Sequence, residues 1–309
     1  MVDNMTKLKI ADMVIDIHIS DEIMKNLANK DEKDIIHERF YDFLCEDNND
    51  KADIVWKIDF LDEGKKVYGD LLYTISQLDV FRSSDKTYTY VYKDIETVPK
   101  MIECKNDFRE CVFLISDYHK ETIKDIKTQE LIKLCLHNMF REMFFYAVSM
   151  KNYLPIHSAS IIYNDKAYLF AASSGVGKST HTNLWHDIYG VDILDGDVCL
   201  CKVLEENGKN IAYAYGLPWC GTSDIYQNKK VEFAGIIYLA RGSKNEVLEL
   251  EEKEVAYGLL QNNFAILLDE ELADEVIKSI NELSKHIKGY KLWCLPNKEA
   301  VDVIKDKIT

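Results

Sequence analysis

The sequence predicts an α/β protein that carries a smaller α+β region at its N-terminus. From residue 153 onward, apolar strand-like runs alternate with helical patterns, which is typical of an α/β domain. A glycine-containing loop stands directly between one of these strands and the helix after it. The N-terminal part lacks such alternation. We therefore expect an accessory domain over 1–125 and an α/β domain that carries this loop over 126–309.

In the N-terminal region we expect short strands within 7–17, 53–60 and 86–92 and a helix within 31–44. The polar stretch 46–50 predicts a turn or loop. No catalytic motif occurs there. This region is expected to present substrate or a partner surface.

A helix is expected from about Thr128, as its cap, to Ser149, with apolar residues spread so widely round its axis that several sides are covered. The later patterns predict, in order, strands 158–163 and 166–172 joined at Asn164-Asp165, helix 179–189, strand 191–194, strands 197–204 and 210–215 joined at Asn207-Gly208, strand 231–240, helices 254–261 and 270–286, strand 290–295 and a helix from about Asn297.

The charge balance limits the classes of partner that the protein is expected to bind. The 309 residues include 38 Lys and Arg against 53 Asp and Glu, a formal charge of −15. Such a surface repels nucleic acid and anionic membranes unless a basic patch overrides it, and the lysine pairs 65–66 and 229–230 are isolated. No secretory signal or stretch of about 18 apolar residues is visible. We expect a cytoplasmic protein that binds neither nucleic acid nor membrane.

The eight cysteines contain no Cys-x-x-Cys pair, and in a chain without an export signal we expect them to be reduced and mostly buried. Cys199 and Cys201 alternate as strand neighbours do, which places both thiols on one face. A metal site formed by these two and a distant third ligand is the alternative.

The glycine-containing loop matches the Walker A pattern at every position except the first glycine, which is Ala172. The glycines let successive N–H groups point at phosphate oxygens, and the following helix adds its positive end. Lys178 would supply charge to the β- and γ-phosphates, and the Ser179 hydroxyl would ligate Mg²⁺. The Ala172 methyl is tolerated if its φ is negative. The expected ATP-binding residues are Ser173, Ser174, Gly175, Val176, Gly177, Lys178, Ser179 and Thr180.

Two acids follow the strand 191–194, where a nucleotide site needs a carboxylate for Mg²⁺ and for the acceptor proton. Asp195 and Asp197 flank a glycine and could share a cation with Ser179. An Asp-Gly turn with two solvated charges is the alternative. His157 precedes the first strand of the hairpin and gains interest only from the motif after it, whereas His181 and His186 are expected on the face of the helix.

Together these residues resemble a known family. The tract from His157-Ser-Ala-Ser through Ser174-Gly-Val-Gly-Lys-Ser179 to Asp195-Gly-Asp197 is similar to the catalytic domain of HPr kinase/phosphorylase, itself related to the core of phosphoenolpyruvate carboxykinase. The block 216–221, followed by Asn228, looks like a segment of HPr-kinase-like proteins from bacterial peptide-modification clusters. The resemblance covers roughly 128–305 and is firmest from 154 to 240.

The resemblance implies that Lys178 and Ser179 bind phosphates and Mg²⁺, and that His157 lies close to the catalytic aspartate. The family's paired aspartates align on Asp195 and Gly196, or on Asp195 and Asp197 after a one-residue shift, so the identity of the base stays open. Since enzymes of this family are oligomers, we expect an assembly of several copies.

This chain departs from the family at two further places. Thr180 replaces the acid after the loop serine, and Thr222 stands where a basic residue is often found. Arg241, at the end of the strand 231–240, is a candidate for stabilising the transferred charge, and an ordinary surface arginine is the alternative.

The expected function is transfer of the γ-phosphate of ATP, with Mg²⁺, to a serine or threonine hydroxyl of a peptide or protein. Lys178, His157 and an acid at Asp195 or Asp197 would form the catalytic set. The alternative is a nucleotide-binding accessory or chaperone module of a peptide-modification system. A phosphoenolpyruvate carboxykinase is disfavoured because that enzyme is longer and its arginine and lysine constellation is absent from the sequence.

Overall fold

The computed structural model describes residues 5–45, 50–62, 64–105, 107–265 and 268–308. The chain forms two compact units, Met1–Ala147 and Val148–Thr309. The predicted loop at 46–50 lies outside the described residues except for its last position. In the part of the chain that the structure describes, no helix is long and apolar enough to cross a membrane.

The first unit is built on one eight-stranded sheet with the order β1-β2-β3-β8-β7-β6-β5-β4. The pairs β2–β3 and β3–β8 are parallel and the others are antiparallel. Its elements are β1 Met5–Ile10, β2 Met13–Ile19, α1 Asp21–Asn26, β3 Ile54–Phe60, β4 Asp70–Ile75, β5 Leu78–Arg82, β6 Tyr88–Tyr92, β7 Met101–Cys104, β8 Glu110–Ile115 and α2 Ile126–Ser149.

Two predictions for the first unit were wrong in detail. The run 7–17 is a hairpin of β1 and β2, because Ala11 takes a left-handed φ of 54° and turns the chain. The predicted helix within 31–44 is a pair of short 3₁₀ turns, Glu32–Asp34 and Glu38–Phe43. His37, between them, has extended backbone, so the apolar residues are buried without a continuous helix.

The long helix α2 packs on the sheet of the first unit. The ring of Phe140 stacks on Trp56 at 4.5 Å and meets the edge of Phe113 at 4.8 Å between centroids. These contacts place residues up to Ala147 in the first unit, whereas the sequence boundary was set after residue 125. The helix begins at Ile126, so Thr128 lies in its first turn rather than capping it.

The second unit also contains an eight-stranded sheet, in the order β10-β9-β12-β13-β14-β16-β15, with β11 on β9 and a further pairing of β10 with β14. The strands β10, β14 and β16 are parallel to one another. Its elements are β9 Leu154–Tyr163, β10 Lys166–Ala171, α3 Lys178–Tyr189, β11 Asp192–Asp195, β12 Val198–Glu206, β13 Lys209–Tyr215, β14 Lys230–Arg241, β15 Glu246–Leu250, α4 Glu252–Gln261, α5 Glu270–His286, β16 Lys288–Cys294 and α6 Lys298–Ile308.

Both predicted hairpins of the second unit are present. Asn164 and Asp165 have φ of 51° and 60°, and Asn207 and Gly208 have 54° and 74°, as two-residue turns require. The sequence patterns missed β15, a short strand at the edge of the sheet in which Glu246, Leu248 and Glu249 are exposed.

Helices cover the sheet of the second unit in two groups. One core joins α4 and α5 to the sheet through residues such as Leu259 and Val276. The other joins α3 and α6 through Trp185 and Val301. This is the mixed α/β fold that the sequence predicts. Because β10, β14 and β16 are parallel, their carboxyl ends lie at one edge of the sheet, where open α/β sheets bind ligands.

Candidate active site

The loop after β10 is shaped by two glycines with left-handed φ, 76° at Gly175 and 125° at Gly177. The Val176 N–H donates to the Ser173 carbonyl at 3.2 Å and closes the turn. Gly177 precedes α3 and makes no side-chain cap hydrogen bond. Because glycine has no side chain to cap them, the first-turn N–H groups of α3 are left for an anion of the kind that helix N-termini bind.

Ala172, the departure from the Walker pattern, fits the backbone without strain. Its side chain is almost buried in the same core as Phe170. Among the described residues, those with left-handed φ do not include Ala172. The glycines that the loop conformation needs are Gly175 and Gly177, so the methyl group at Ala172 is tolerated.

Lys178, the first residue of α3, directs its amino group back towards the end of β10. Its Nζ donates to the Ala172 carbonyl at 3.3 Å and lies 3.1 Å from His157 Nε2. Burial lowers the pKa of Lys178, and the nearby charge of Asp197 opposes that shift. An anion in the loop would favour the charged form of this lysine further.

His157 lies within β9 rather than before it, because the strand begins four residues earlier than predicted, and the main chain fixes it on both sides. Its N–H donates to the Asn262 carbonyl at 2.8 Å, and the residue pairs with Val198 across β9 and β12. Its Nε2 lies 3.4 Å from Asp197 Oδ1. The same nitrogen either accepts from Lys178 or donates to Asp197, because one ring nitrogen is either unprotonated or protonated. His157 thus connects the lysine to the acid.

The two acids occupy different environments. Asp195 is fully buried, and its Oδ1 accepts from the N–H groups of Asp197 at 2.9 Å and Val198 at 3.1 Å. Its Oδ2 accepts from the Leu217 N–H at 2.9 Å. Burial raises the pKa of Asp195 to about 8, while these three hydrogen bonds act in the opposite direction. Asp195 therefore joins the turn at 196–198 to the segment that contains Leu217.

Asp197 lies in the short break between β11 and β12. The strands β11 and β12 pair with consecutive parts of β9, and Gly196 and Asp197 leave the ladder between them. A Cβ on Gly196 would clash with Ser223 Oγ, and one on Gly221 would lie 2.9 Å from Asp197 Cγ. The block 216–221 therefore lies against both acids, against Asp195 through the Leu217 N–H and against Asp197 through Gly221.

A cleft of about 540 Å³ opens over this arrangement. It brings together most of the predicted residues, but Ser173, Val176 and Asp195 are not among the residues that line it. Thr222, where the family often has a basic residue, forms part of its wall. The lining residues are His157, Ser174, Gly175, Gly177, Lys178, Ser179, Thr180, Thr182, Asn183, Ile193, Gly196, Asp197, Cys220, Thr222, Ser223 and Ile225.

A divalent cation would find two of its predicted ligands here. Ser179, which carries a hydroxyl, and Asp197, which carries a carboxylate, both line the cleft. Within the described ranges, no three His, Cys, Asp or Glu residues group as a metal site would. Mg²⁺ does not need such a group, since it is commonly held by one or two carboxylates together with water and substrate phosphates. The donor set present is therefore compatible with Mg²⁺ that arrives with a nucleotide.

Arg241 makes a contact that the sequence did not indicate. Its Nη2 donates to the Gly175 carbonyl at 3.0 Å, from the carboxyl end of β14. The end of a neighbouring parallel strand was the available clue, because such ends meet at one edge of the sheet. The guanidinium supports the glycine loop.

Other candidate residues lie away from the cleft. The His181 ring is buried against Phe170 at 4.8 Å, and burial lowers its pKa to about 4. Cys199 and Cys201 are buried, and burial raises the pKa of both thiols. Cys199 Sγ lies 3.0 Å from Ser160 Oγ. In the described part of the chain no third ligand joins the two thiols.

Comparisons with known proteins add little to what the geometry of the site shows. No family model and no curated protein matches the sequence. Among solved structures, the chain is similar to the HPr(Ser) kinase/phosphatase from Coxiella burnetii, with 13% identity and a TM-score of 0.27. That match covers 50% of this chain and 95% of the other. Because this likeness is so distant, function has to be argued from the residues of the cleft.

Proposed function

We propose that this protein is a Mg²⁺-dependent kinase that binds ATP on the loop 173–180 and transfers the γ-phosphate to a serine or threonine hydroxyl. The acceptor is a peptide or protein. The observation that carries the proposal is the convergence of Lys178, His157 and Asp197 at the mouth of a glycine loop whose helix has no side-chain cap.

The loop and Lys178 would provide binding and charge neutralisation. N–H groups of the loop and of the first turn of α3 suit phosphate oxygens, and an ammonium group adds a point charge. Phosphoryl transfer depends mainly on such positioning and electrostatic stabilisation. Arg241 would keep the loop in shape through the Gly175 carbonyl.

Asp197 is the acid that we assign as general base. Its side chain is 27% exposed, lines the cleft and lies beside His157, so it can reach an acceptor hydroxyl. Asp195 is 0% exposed and accepts three main-chain hydrogen bonds, so we assign it a positioning role. The Ser179 hydroxyl and Asp197 would hold Mg²⁺, which supplies neutralisation of phosphate charge when bound.

The proposal predicts that Lys178→Ala abolishes phosphate transfer from labelled ATP and leaves the protein folded. Its amino group provides the charge on the transferred phosphate, and loss of at least about 100-fold in rate is expected for a group of this kind. Lys244→Ala, at an exposed position, is the control and should keep native activity. Labelled product from the Lys178 variant at the native rate would overturn the proposal.

A second function is favoured by one observation. Since Asp195 is sealed beneath the cleft, only one of the two expected acids lines it. A nucleotide-binding accessory module without transfer needs no pair of acids. Tight Mg·ATP binding with no label on any serine peptide would identify such a module, whereas labelled peptide identifies the kinase.

A further inference from the structure

We infer that a second cavity, of about 940 Å³, receives an acidic segment of the acceptor polypeptide. This inference rests on the proposed kinase function and specifies its substrate class. The cavity lies within the second unit beside the phosphate cleft. His157 lines both spaces, and Ala172 and Ser173 form the part of its wall that belongs to the loop.

The amino group of Lys178 lies at the border of the two spaces. It is 3.1 Å from His157 Nε2 and 3.3 Å from the Ala172 carbonyl, and both residues line the second cavity. In loops of this type the main chain holds the α- and β-phosphates and the lysine reaches the β- and γ-phosphates. The terminal phosphate would therefore point towards the second cavity.

The nucleoside would then extend the other way, over the start of α3. Thr180 and Asn183 line the cleft on that side and are not among the residues lining the second cavity. In phosphoryl transfer the attacking and leaving oxygens are roughly in line. The acceptor oxygen attacks the γ-phosphorus, its proton passes to Asp197, and the bond to the ADP oxygen breaks. Asp197 does not line the second cavity, but it lies 3.4 Å from His157, which does. An acceptor hydroxyl would therefore meet the γ-phosphate and Asp197 at the border of the two spaces.

The wall of the cavity is preformed and suited to a polypeptide. The Tyr238 hydroxyl donates to the Val255 carbonyl at 3.0 Å, and a Cβ on Gly258 would clash with the Tyr238 ring. A glycine in α4 is therefore what allows that ring to pack so closely against the helix. Tyr257, 63% exposed, adds an aromatic surface, and aromatic rings with nearby polar groups are common in binding pockets.

The charges on this wall indicate the acceptor's chemistry. Lys253 and Lys291 line it, against the single acid Glu254. Glu254 already accepts the Glu251 N–H at 2.9 Å in the capping box of α4. The residues that line the cavity carry one net positive charge on a protein of net charge −15, which favours a partner with carboxylates at this wall. We therefore assign acidic residues to the acceptor segment near its hydroxyl.

The test uses three synthetic peptides with the same central serine, flanked by Asp and Glu, by Asn and Gln, or by Lys and Arg. Transfer of label from ATP is measured with the full chain. The acidic peptide should have the highest kcat/KM, by about tenfold over the neutral one. A preference for the neutral or basic peptide, or equal rates for all three, overturns the inference.

A double variant, Lys253→Glu with Lys291→Glu, should raise KM for the acidic peptide about tenfold and leave the KM for ATP unchanged. The matched control, Lys209→Glu with Lys298→Glu, makes the same charge change at exposed positions outside the cavity and should alter neither KM. An equal rise in both double variants contradicts a local contact.

The two proposals fail in different ways. Charge-insensitive transfer to all three peptides overturns the acidic-acceptor inference and leaves the kinase intact. Nucleotide binding with no transfer to any peptide overturns the kinase, and the inference falls with it.

Discussion

Asp195 and Asp197 stand two residues apart, yet the fold gives them different environments. Three main-chain N–H groups enclose Asp195 below the surface, whereas Asp197 faces the cleft beside His157. The spacing of the sequence could not separate them, because the Leu217 N–H that fixes Asp195 comes from a segment distant along the chain. This contrast is why we propose a positioning role for the first acid and the role of general base for the second.

The buried acid should make stability depend on pH. Burial raises the pKa of Asp195 from its ordinary 3.8 to about 8, so the folded state binds this proton more tightly than the unfolded chain does. Such a group contributes stability that is complete below the unfolded pKa and is lost as pH rises through the folded pKa. Asp195 should therefore lower the free energy of unfolding between about pH 4 and pH 8.

Urea unfolding of the native protein and of Asp195→Asn across this range measures the effect. The native protein should lose stability relative to the variant as pH rises, although the variant is less stable at low pH because its amide N–H meets a main-chain donor, at a cost of about 1–3 kcal/mol. Parallel pH profiles for the two proteins would show that Asp195 does not titrate in this range.

At the scale of elements, the turn segment 216–221 determines whether Asp197 is correctly placed. Gly221 has a φ of 62°, and a Cβ there would lie 2.9 Å from Asp197 Cγ. Gly221→Ala should therefore lower the rate of phosphate transfer by at least about tenfold, since small displacements of a catalytic group are costly.

Gly208→Ala is the matched control for this substitution. Gly208 also has a left-handed φ, of 74°, but a Cβ there has no heavy atom within 4 Å. Both variants should lose about 1–2 kcal/mol of the free energy of unfolding from backbone strain, and Gly221→Ala should lose more because its Cβ also clashes with Asp197. Equal transfer rates in both would contradict the role given to Gly221.

Elements with local determinants were predictable from the sequence. The turns at Asn164-Asp165 and Asn207-Gly208, and the glycine loop before α3, follow from residue types that favour left-handed φ. The structure of the region 31–44 was not predictable in this way, because burial of its apolar side chains against the first sheet overrides the helical spacing. Of the strands in that sheet, β4, β5, β7 and β8 were missed.

For the whole molecule, the sequence predicted the α/β class and much of the candidate site, but not the contacts that connect distant segments. Arg241 supports Gly175 from another strand, and Gly221 limits the space around Asp197. Such pairings depend on sheet order, which local patterns do not encode. The packing of α2 on Trp56 likewise extends the first unit to Ala147, whereas the sequence predicts a boundary after residue 125. Assembly into an oligomer stays a prediction.

The central claim is that ATP binds at the glycine loop and that Asp197 takes the acceptor's proton. Its most direct test is to measure ATP affinity without Mg²⁺, and label transfer with Mg²⁺, on the same preparation of Asp197→Asn. We predict metal-free affinity within about threefold of the native protein, because loop N–H groups and Lys178 remain, and transfer slowed by at least about 100-fold, because the base and a proposed Mg²⁺ ligand are lost. Native transfer rates in this variant would contradict the account.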